Sequence, residues 1–421
     1  MLKAHHRCYL AAFLLDFAVS SGFTAFPFFI FDHLGGDARM SGWISAIQSA
    51  CYGAVCILSS TFVGRARNGL IWAQIGSLGY ALIFPAAILF RNPIIIAAMT
   101  IAGVTCMALF WPALQSWIGS VPDLRLRSRR IAHYNISWSL GLATSPLLAG
   151  PLYDMHYSLP FVLVFVSALL SFALVMSLPH ELSYFGAATP EDLSSRAEHT
   201  AISEAHLHCT WLASFVGWAM VGVMRSVFPK RVHELAANHD LVVLFGSMSW
   251  ERLNLGPATQ TSWLILMLYA SRVITTLDMG HRHTWHHKFR ILVVWQIAAA
   301  LAFLGLGISH SLFVMAICCL IIGANGAVSF FASLYYSVAN PAFRHGRTAI
   351  HEGMVGVGGF VGSVAFGELA SRLGTSWPFV YTPVFVAVCL AGQWLLFRRG
   401  MERLHRSQSE LGDSDSSRNW T

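Results

Sequence analysis

Twelve apolar stretches of about 20 residues, each long enough to cross a bilayer, recur along the chain and limit what it can fold into. They are 8–30, 41–63, 70–90, 93–120, 131–153 and 158–179, then 209–229, 258–277, 290–309, 312–338, 350–370 and 377–397. In hydrocarbon no water satisfies a free N–H or C=O, so each stretch must bond its own backbone as an α-helix. A soluble alternative is excluded by charge: only 11% of residues are Asp, Glu, Lys or Arg, where soluble domains carry about 25%. The sequence predicts an all-α membrane protein with twelve transmembrane helices.

The order of polar segments divides those helices. Residues 180–208 include Pro190, Glu191, Asp192, Ser194, Ser195, Arg196 and Glu198, and read as a linker between bundles 1–179 and 209–398. Residues 399–421 are charged and Ser-rich and read as a disordered tail. With the N-terminus inside, 19 of the 27 Lys and Arg residues fall on inner segments and six on outer loops. That bias predicts both termini and the linker in the cytoplasm of a cell's inner or plasma membrane. It also explains the net charge of +7 without a nucleic-acid partner. The first stretch lacks a small-residue cleavage site and reads as a retained span. The eight cysteines lie in or beside apolar stretches and read as small buried hydrophobes.

The two halves share a pattern. Arg127 to Gly150 reappears 217 positions on, from Arg344 to Gly367. Arg127 meets Arg344, Arg130 meets Arg347, Gly141 meets Gly358, Ser145 meets Gly362, Pro146 meets Ser363, and Gly150 meets Gly367. Each copy is a basic loop followed by an apolar segment striped with small residues, which lets helix backbones approach closely in lipid. Gly141, Pro146, Gly150, Gly358, Gly362 and Gly367 are therefore the expected packing positions, with the fifth and eleventh spans each set against a neighbour from the other half. Phe26-Pro27 and Phe228-Pro229 repeat at an offset of 202, and the fourth and tenth spans at 220. The shift in offset places an insertion in the outer loop 230–257.

On these residues the chain resembles the major facilitator superfamily. The run Gly141-Leu-Ala-Thr-Ser145-Pro146-Leu-Leu-Ala149-Gly150 is similar to the family's Gly-x-x-x-Gly-Pro-x-x-Gly-Gly element, with Ser145 and Ala149 in place of glycines. The loop Gly64-Arg65-Ala66-Arg67-Asn68-Gly69 keeps the basic part of the family's second-to-third-span motif but lacks its aspartate. The resemblance implies two pseudo-symmetric six-helix bundles around a central cavity, lined by spans 1, 4, 7 and 10 and opened alternately to either side. It names no substrate.

Substrate chemistry must come from polar groups at membrane depth, which are costly and often functional. Asp16, near the middle of the first span, is the candidate for proton coupling, because its carboxylate could take and release a proton as the cavity opens. A structural hydrogen bond between helices is the equal alternative. Trp111, Gln115, Arg225, Asn325 and Tyr335 are the cavity candidates, since pockets combine apolar walls with a few convergent polar groups. Gln115 and Tyr335 coincide at offset 220 and should face each other. Arg225 has a plainer reading as a side chain reaching for the interface, as does Arg272. Arg130, Arg347 and Glu352 are expected to form a charged gate at the inner end of the eleventh span, and Glu368 to be solvated.

The histidines of 281–287 have no supporting thiolate and no carboxylate apart from nearby Asp278, so no metal is expected there. No phosphate-binding Gly-Lys-Ser/Thr loop and no nucleophile–base set is present. The chain therefore reads as no enzyme, needs no cofactor, and is expected to act as a monomer. A small solute and the bilayer are its expected partners. The functional reading is a secondary transporter; the alternative is a non-transporting relative acting as sensor, receptor or assembly partner.

Overall fold

A computed structural model of the chain describes residues 3–62, 69–118, 124–179, 194–238, 240–242, 255–282, 284–339 and 344–418. The Gly64–Gly69 motif (apart from Gly69), residues 180–193 and most of the long outer loop, 243–254, lie outside the described residues. Among the described residues fifteen α-helices make up the twelve spans. In the first half they are α1 (Ala4–His33), α2 (Ala38–Phe62), α3 (Leu70–Ala86), α4 (Pro93–Ala108), α5 (Phe110–Ile118), α6 (Leu124–Thr144), α7 (Pro146–Met155) and α8 (Leu159–Met176). The second half holds α9 (Ser194–Ser226), α10 (Phe228–Ala237), α11 (Pro257–His281), α12 (Phe289–Ile308), α13 (Leu312–Val338), α14 (Arg344–Leu373) and α15 (Trp377–Arg418).

Three spans are broken in two, each next to a proline. Pro112 follows the α4–α5 break, Pro146 opens α7, and Pro229 follows the α9–α10 break. A proline lacks the N–H that would bond the carbonyl four residues back, and in lipid that carbonyl must find another donor. Ser20 Oγ of α1 donates to the Leu142 carbonyl freed by Pro146, at 3.1 Å. The Cys56 thiol of α2 lies 3.9 Å from the Ala108 carbonyl freed by Pro112. These two breaks are thus held by the neighbouring helix.

Burial sorts the spans by position. α1 is the innermost, with 78% of its apolar window buried, whereas α15 buries 22% and presents Val384, Val388, Trp394 and Leu395 outward. Among the described residues ten spans are apolar and long enough to cross a membrane on their own. The other two are α6–α7 and α11, which pack on each other between the halves. Facing protein rather than lipid relaxes the demand for apolarity there. Each half has its own apolar core: one around Phe28, Tyr80, Phe84 and Phe161, the other around Phe228, Phe303 and Phe379.

Two boundaries differ from expectation. α9 begins at Ser194 and so absorbs the end of the stretch read as linker. α15 continues to Arg418, through the region read as a disordered tail. Helix-forming residues carry it past Arg399, and Arg398 pairs with Glu402 one turn on at 2.9 Å.

The glycine repeat is a packing seam, in two parts. A Cβ on Gly141 would strike the Phe13 carbonyl of α1, and one on Gly358 the Phe215 carbonyl of α9, 202 positions later. Gly362 is likewise closed off by the Ala219 carbonyl. Those contacts stay within each half, contrary to the expected cross-half packing. Gly150 and Gly367 do cross. A Cβ on Gly150 would sit 2.6 Å from the Ala258 carbonyl of α11, and one on Gly367 3.1 Å from the Ala38 carbonyl of α2, again equivalent positions 220 apart. Pro146 is buried beside this seam, where the Ser21 and Ser145 hydroxyls meet at 2.7 Å.

Candidate functional site

Between the halves lies a cavity of about 580 Å³, and its walls obey the same pseudo-symmetry as the packing. On α1 the lining is Asp16, Val19 and Phe23; on α9 it is Trp218, Val221 and Arg225, the same three positions 202 later. Ser49 and Tyr52 of α2 correspond to Tyr269 and Arg272 of α11 at 220. Asn135 of α6 corresponds to Glu352 of α14 at 217. Spacings of three and four place each set on one helix face.

Chemistry breaks that symmetry. Asp16 stands opposite the tryptophan position, Phe23 opposite Arg225, Tyr52 opposite Arg272, and Asn135 opposite Glu352. Both lining arginines therefore belong to the second half. Asp16 is 6% exposed and Arg272 is 6% exposed. They interact electrostatically across the cavity but are too far apart for an ion pair. Among the described residues Asp16 has no hydrogen-bond partner, so its carboxylate opens on the cavity. Arg272 lies between the rings of Trp218 and Phe330, 5.2 Å from each centroid, and is a wall residue rather than one reaching for the interface. Arg225 stacks on Phe23 at 3.6 Å and reaches Gln48 Oε1 at 3.5 Å.

Trp111 and Gln115 line the cavity from α5, turned inward just past the proline break. Asn325 and Tyr335 do not. Asn325 is buried between α13 and α9, where its amide meets Met220 Sδ at 3.6 Å and its carbonyl accepts from Ser329 at 3.4 Å. Tyr335 stacks on His286 at 4.5 Å and meets the Trp285 ring at 5.1 Å. The residues of α13 that do line the cavity are Phe330 and Leu334, which match Trp111 and Gln115 at an offset of 219. A one-residue error of register turns a helical side chain by about 100°, enough to take Tyr335 out of the site.

The expected charged gate is not assembled. Arg347 pairs with Glu204 of α9 at 3.0 Å, and Arg130 lies near His5 of α1. Glu352 instead faces Tyr52 inside the cavity. Of the histidine cluster, His286 and His287 pack on Tyr335 and Tyr336; His283 is outside the described residues. Gln48, Tyr52, Trp138, Trp218, Tyr269 and Arg272 were not among the site expectations. Their helical spacing on matched faces was the signal available.

The cavity extends from mid-membrane toward the face that carries the termini, where Ile118, Leu334 and Thr348 line it. Toward the opposite, distal face it is shut by contacts between halves. Asp32 of α1, held by Tyr153 of the same half at 3.0 Å, meets His233 of α10 in the other half at 3.1 Å. Glu368 of α14, expected to be solvated, is bonded by Arg39 at 2.7 Å and by Trp43 Nε1 at 2.8 Å, both on α2. Asp154 accepts from the Thr259 N–H of α11 at 2.8 Å.

Two six-helix halves around a shared, one-sided cavity define a polytopic carrier architecture. The profile described as Major Facilitator Superfamily matches residues 8–347, and the chain belongs to that family of membrane transporters rather than to an enzyme class. An uncharacterised MFS-type transporter of Bacillus subtilis (strain 168), YfkF, is 25% identical over 223 residues, which is 53% of this chain and 51% of that protein. The chain thus spans about half the length of the curated relative it matches. Among solved structures, a mutant form of the nucleoside transporter NupG superposes with a TM-score of 0.73 at 11% identity, covering 94% of this chain and 100% of that one. A bacterial homolog of the human lysosomal transporter Spinster, inward-facing and unoccupied, gives 0.69 at 14%, covering 96% and 98%. These likenesses show the fold.

Proposed function

We propose that the chain is a secondary active transporter that moves a small organic solute by alternating access, with proton coupling through Asp16. The carrying observation is the cavity: both halves line it at equivalent positions, and contacts between the halves close it at one face. Rocking the halves about it would open the distal face and close the other. The Lys and Arg bias puts the termini in the cytoplasm, which makes this an inward-facing arrangement. It acts as a monomer, since each chain supplies both halves of the cavity.

Asp16 is the exchangeable charge. The charged and titratable groups within its electrostatic reach are Arg272 and Tyr269 of α11, Tyr52 of α2, Tyr80 of α3 and Tyr134 of α6. Ionised, it partly neutralises Arg272; protonated, it releases that cation to a solute. Taking up and giving back one proton per cycle links solute movement to a pH gradient.

The test is made in proteoliposomes loaded with a pH-reporting dye and challenged with a panel of small organic solutes. A transported solute should carry a proton signal that Asp16→Asn abolishes, while counterflow exchange of the same solute persists. A proton signal unchanged in Asp16→Asn would remove Asp16 from the mechanism. Failure of every solute to move would favour a non-transporting sensor. Orientation is checked separately: Ser194→Cys on a cysteine-free background should resist an impermeant thiol reagent in intact cells, and labelling from outside would overturn the topology.

A further inference from the structure

The geometry points to an organic anion with a flat aromatic or apolar body as the solute, its acidic group held between Arg225 and Arg272. This rests on the reading of the cavity as the transport site. It goes further by assigning the charge and shape of what enters.

The argument begins with how this protein treats a buried arginine that is purely structural. Arg231 of α10 is 2% exposed, and carbonyl oxygens surround its guanidinium. Nε donates to the Leu306 carbonyl at 2.7 Å, and Nη2 to those of Gly307 at 2.7 Å and Ser309 at 3.3 Å. Nη1 donates to the Ser376 hydroxyl. Four of its five N–H donors are engaged by the protein itself. A buried guanidinium costs several kcal/mol unless its donors are satisfied in this way.

Arg225 and Arg272 are built differently. Neither has an ion pair among the described residues. Arg225 has one long contact, 3.5 Å to Gln48, and the charged or titratable groups it feels are Tyr269 and Tyr80, not a carboxylate. Arg272 has only aromatic faces beside it and the distant field of Asp16. Arg225, Tyr269 and Arg272 line the same cavity from the second half, and Tyr269 lies within the field of both arginines. A further unused donor lies in the cavity wall. Gln48 lines the cavity and is 1% exposed, and among the described residues its Nε2 has no partner. Arginines stay charged at any physiological pH and can only donate. An acceptor-rich anion is the group that completes this set, with a carboxylate, sulfonate or phosphate matching the guanidinium fork.

The remaining walls state the body's shape. Phe23, Trp111, Trp138, Trp218 and Phe330 line the same cavity, which suits a planar ring between them. The acid would dock on the arginines as protonation of Asp16 removes its field from Arg272.

Binding to purified protein in detergent tests the assignment without requiring flux. The probes are indole-3-acetate, naphthalene-2-sulfonate and phenyl phosphate, read by thermal shift and by quenching of tryptophan fluorescence, against uncharged indole-3-acetamide and cationic tryptamine. At least one anion should bind saturably, and the amide and amine about tenfold or more weaker, as loss of a charge-assisted bond implies. Arg225→Gln and Arg272→Gln should each weaken the anion by a similar factor while keeping the thermal midpoint of the unliganded protein. Arg225→Lys should recover part of the affinity, which loss of folding would not allow. No binding by any of the three anions, equal binding of the amide, or unchanged anion affinity in both glutamine variants would overturn the inference. Anion binding without counterflow in proteoliposomes would uphold this site and reject the transport reading; counterflow of the amide alone would do the reverse.

Discussion

Gly362 shows how little room a single position can leave. It sits on the Ala219 carbonyl of the seventh span, and even a methyl group would collide with that backbone. Gly362→Ala should therefore cost about 1–3 kcal/mol, the usual penalty of overpacking, seen as a lower thermal midpoint in detergent. Gly326 in α13 is the control, because nothing lies within 4 Å of a Cβ built there. Gly326→Ala should leave the midpoint unchanged or raise it, since alanine gains about 0.5–1 kcal/mol over glycine in a helix. Equal losses in the two variants would show that the seam does not set stability. The small-residue stripe was legible in sequence at this scale. Which neighbour each glycine meets was not, because a stripe carries no information about the partner helix.

At the scale of helices, the proline breaks explain why the inward turn of α5 and the α6–α7 bend are tolerated in lipid. The Ser20 hydroxyl takes the Leu142 carbonyl that Pro146 strands. Ser20→Ala should cost about 1 kcal/mol in the wild type, the scale of one lost buried hydrogen bond. In a Pro146→Ala background the restored helical N–H makes the serine redundant, so the cost should largely vanish. A double-mutant cycle on the thermal midpoint measures that coupling, and additive losses would mean that Ser20 does not serve the break. Ten of the spans meet the test of apolar length by themselves, and the order of the segments supplied the other two, α6–α7 and α11. The register of the tenth span could not be read: an offset of 220 holds between the second and eighth spans, yet 219 holds between the lining of α5 and α13. That single residue displaced Tyr335 from the site, and Asn325 was misplaced because a buried amide looks the same in sequence whether it faces a helix or a cavity. Arg272 was misread for the related reason that position along a span does not reveal which side faces the interior.

For the whole molecule, alternating access as proposed requires two rigid halves to exchange one set of closing contacts for another. The distal set is visible: Asp32 with His233, Glu368 with Arg39 and Trp43, and Asp154 with Thr259. These are polar contacts at the membrane boundary, individually weak and therefore able to open. The sequence carried no sign of them, since each joins residues more than 100 positions apart. The pseudo-symmetry of the walls was legible in the repeat offsets, whereas the segregation of Arg225 and Arg272 onto one half emerged only once the faces were known.

The most direct measurement is a pair of distances by pulsed electron paramagnetic resonance in lipid nanodiscs, on a background lacking the eight native cysteines. One spin-label pair spans the distal face, at Met155 of α7 and Leu373 of α14, both exposed. The other spans the face of the termini, at His6 of α1 and Gly346 of α14. Unlatching the distal face with Asp32→Asn and Glu368→Gln should lengthen the Met155–Leu373 distance and shorten the His6–Gly346 distance in the same molecules, as rocking halves require. A distal distance that grows while the other stays fixed, or two distances that never change, would contradict alternating access.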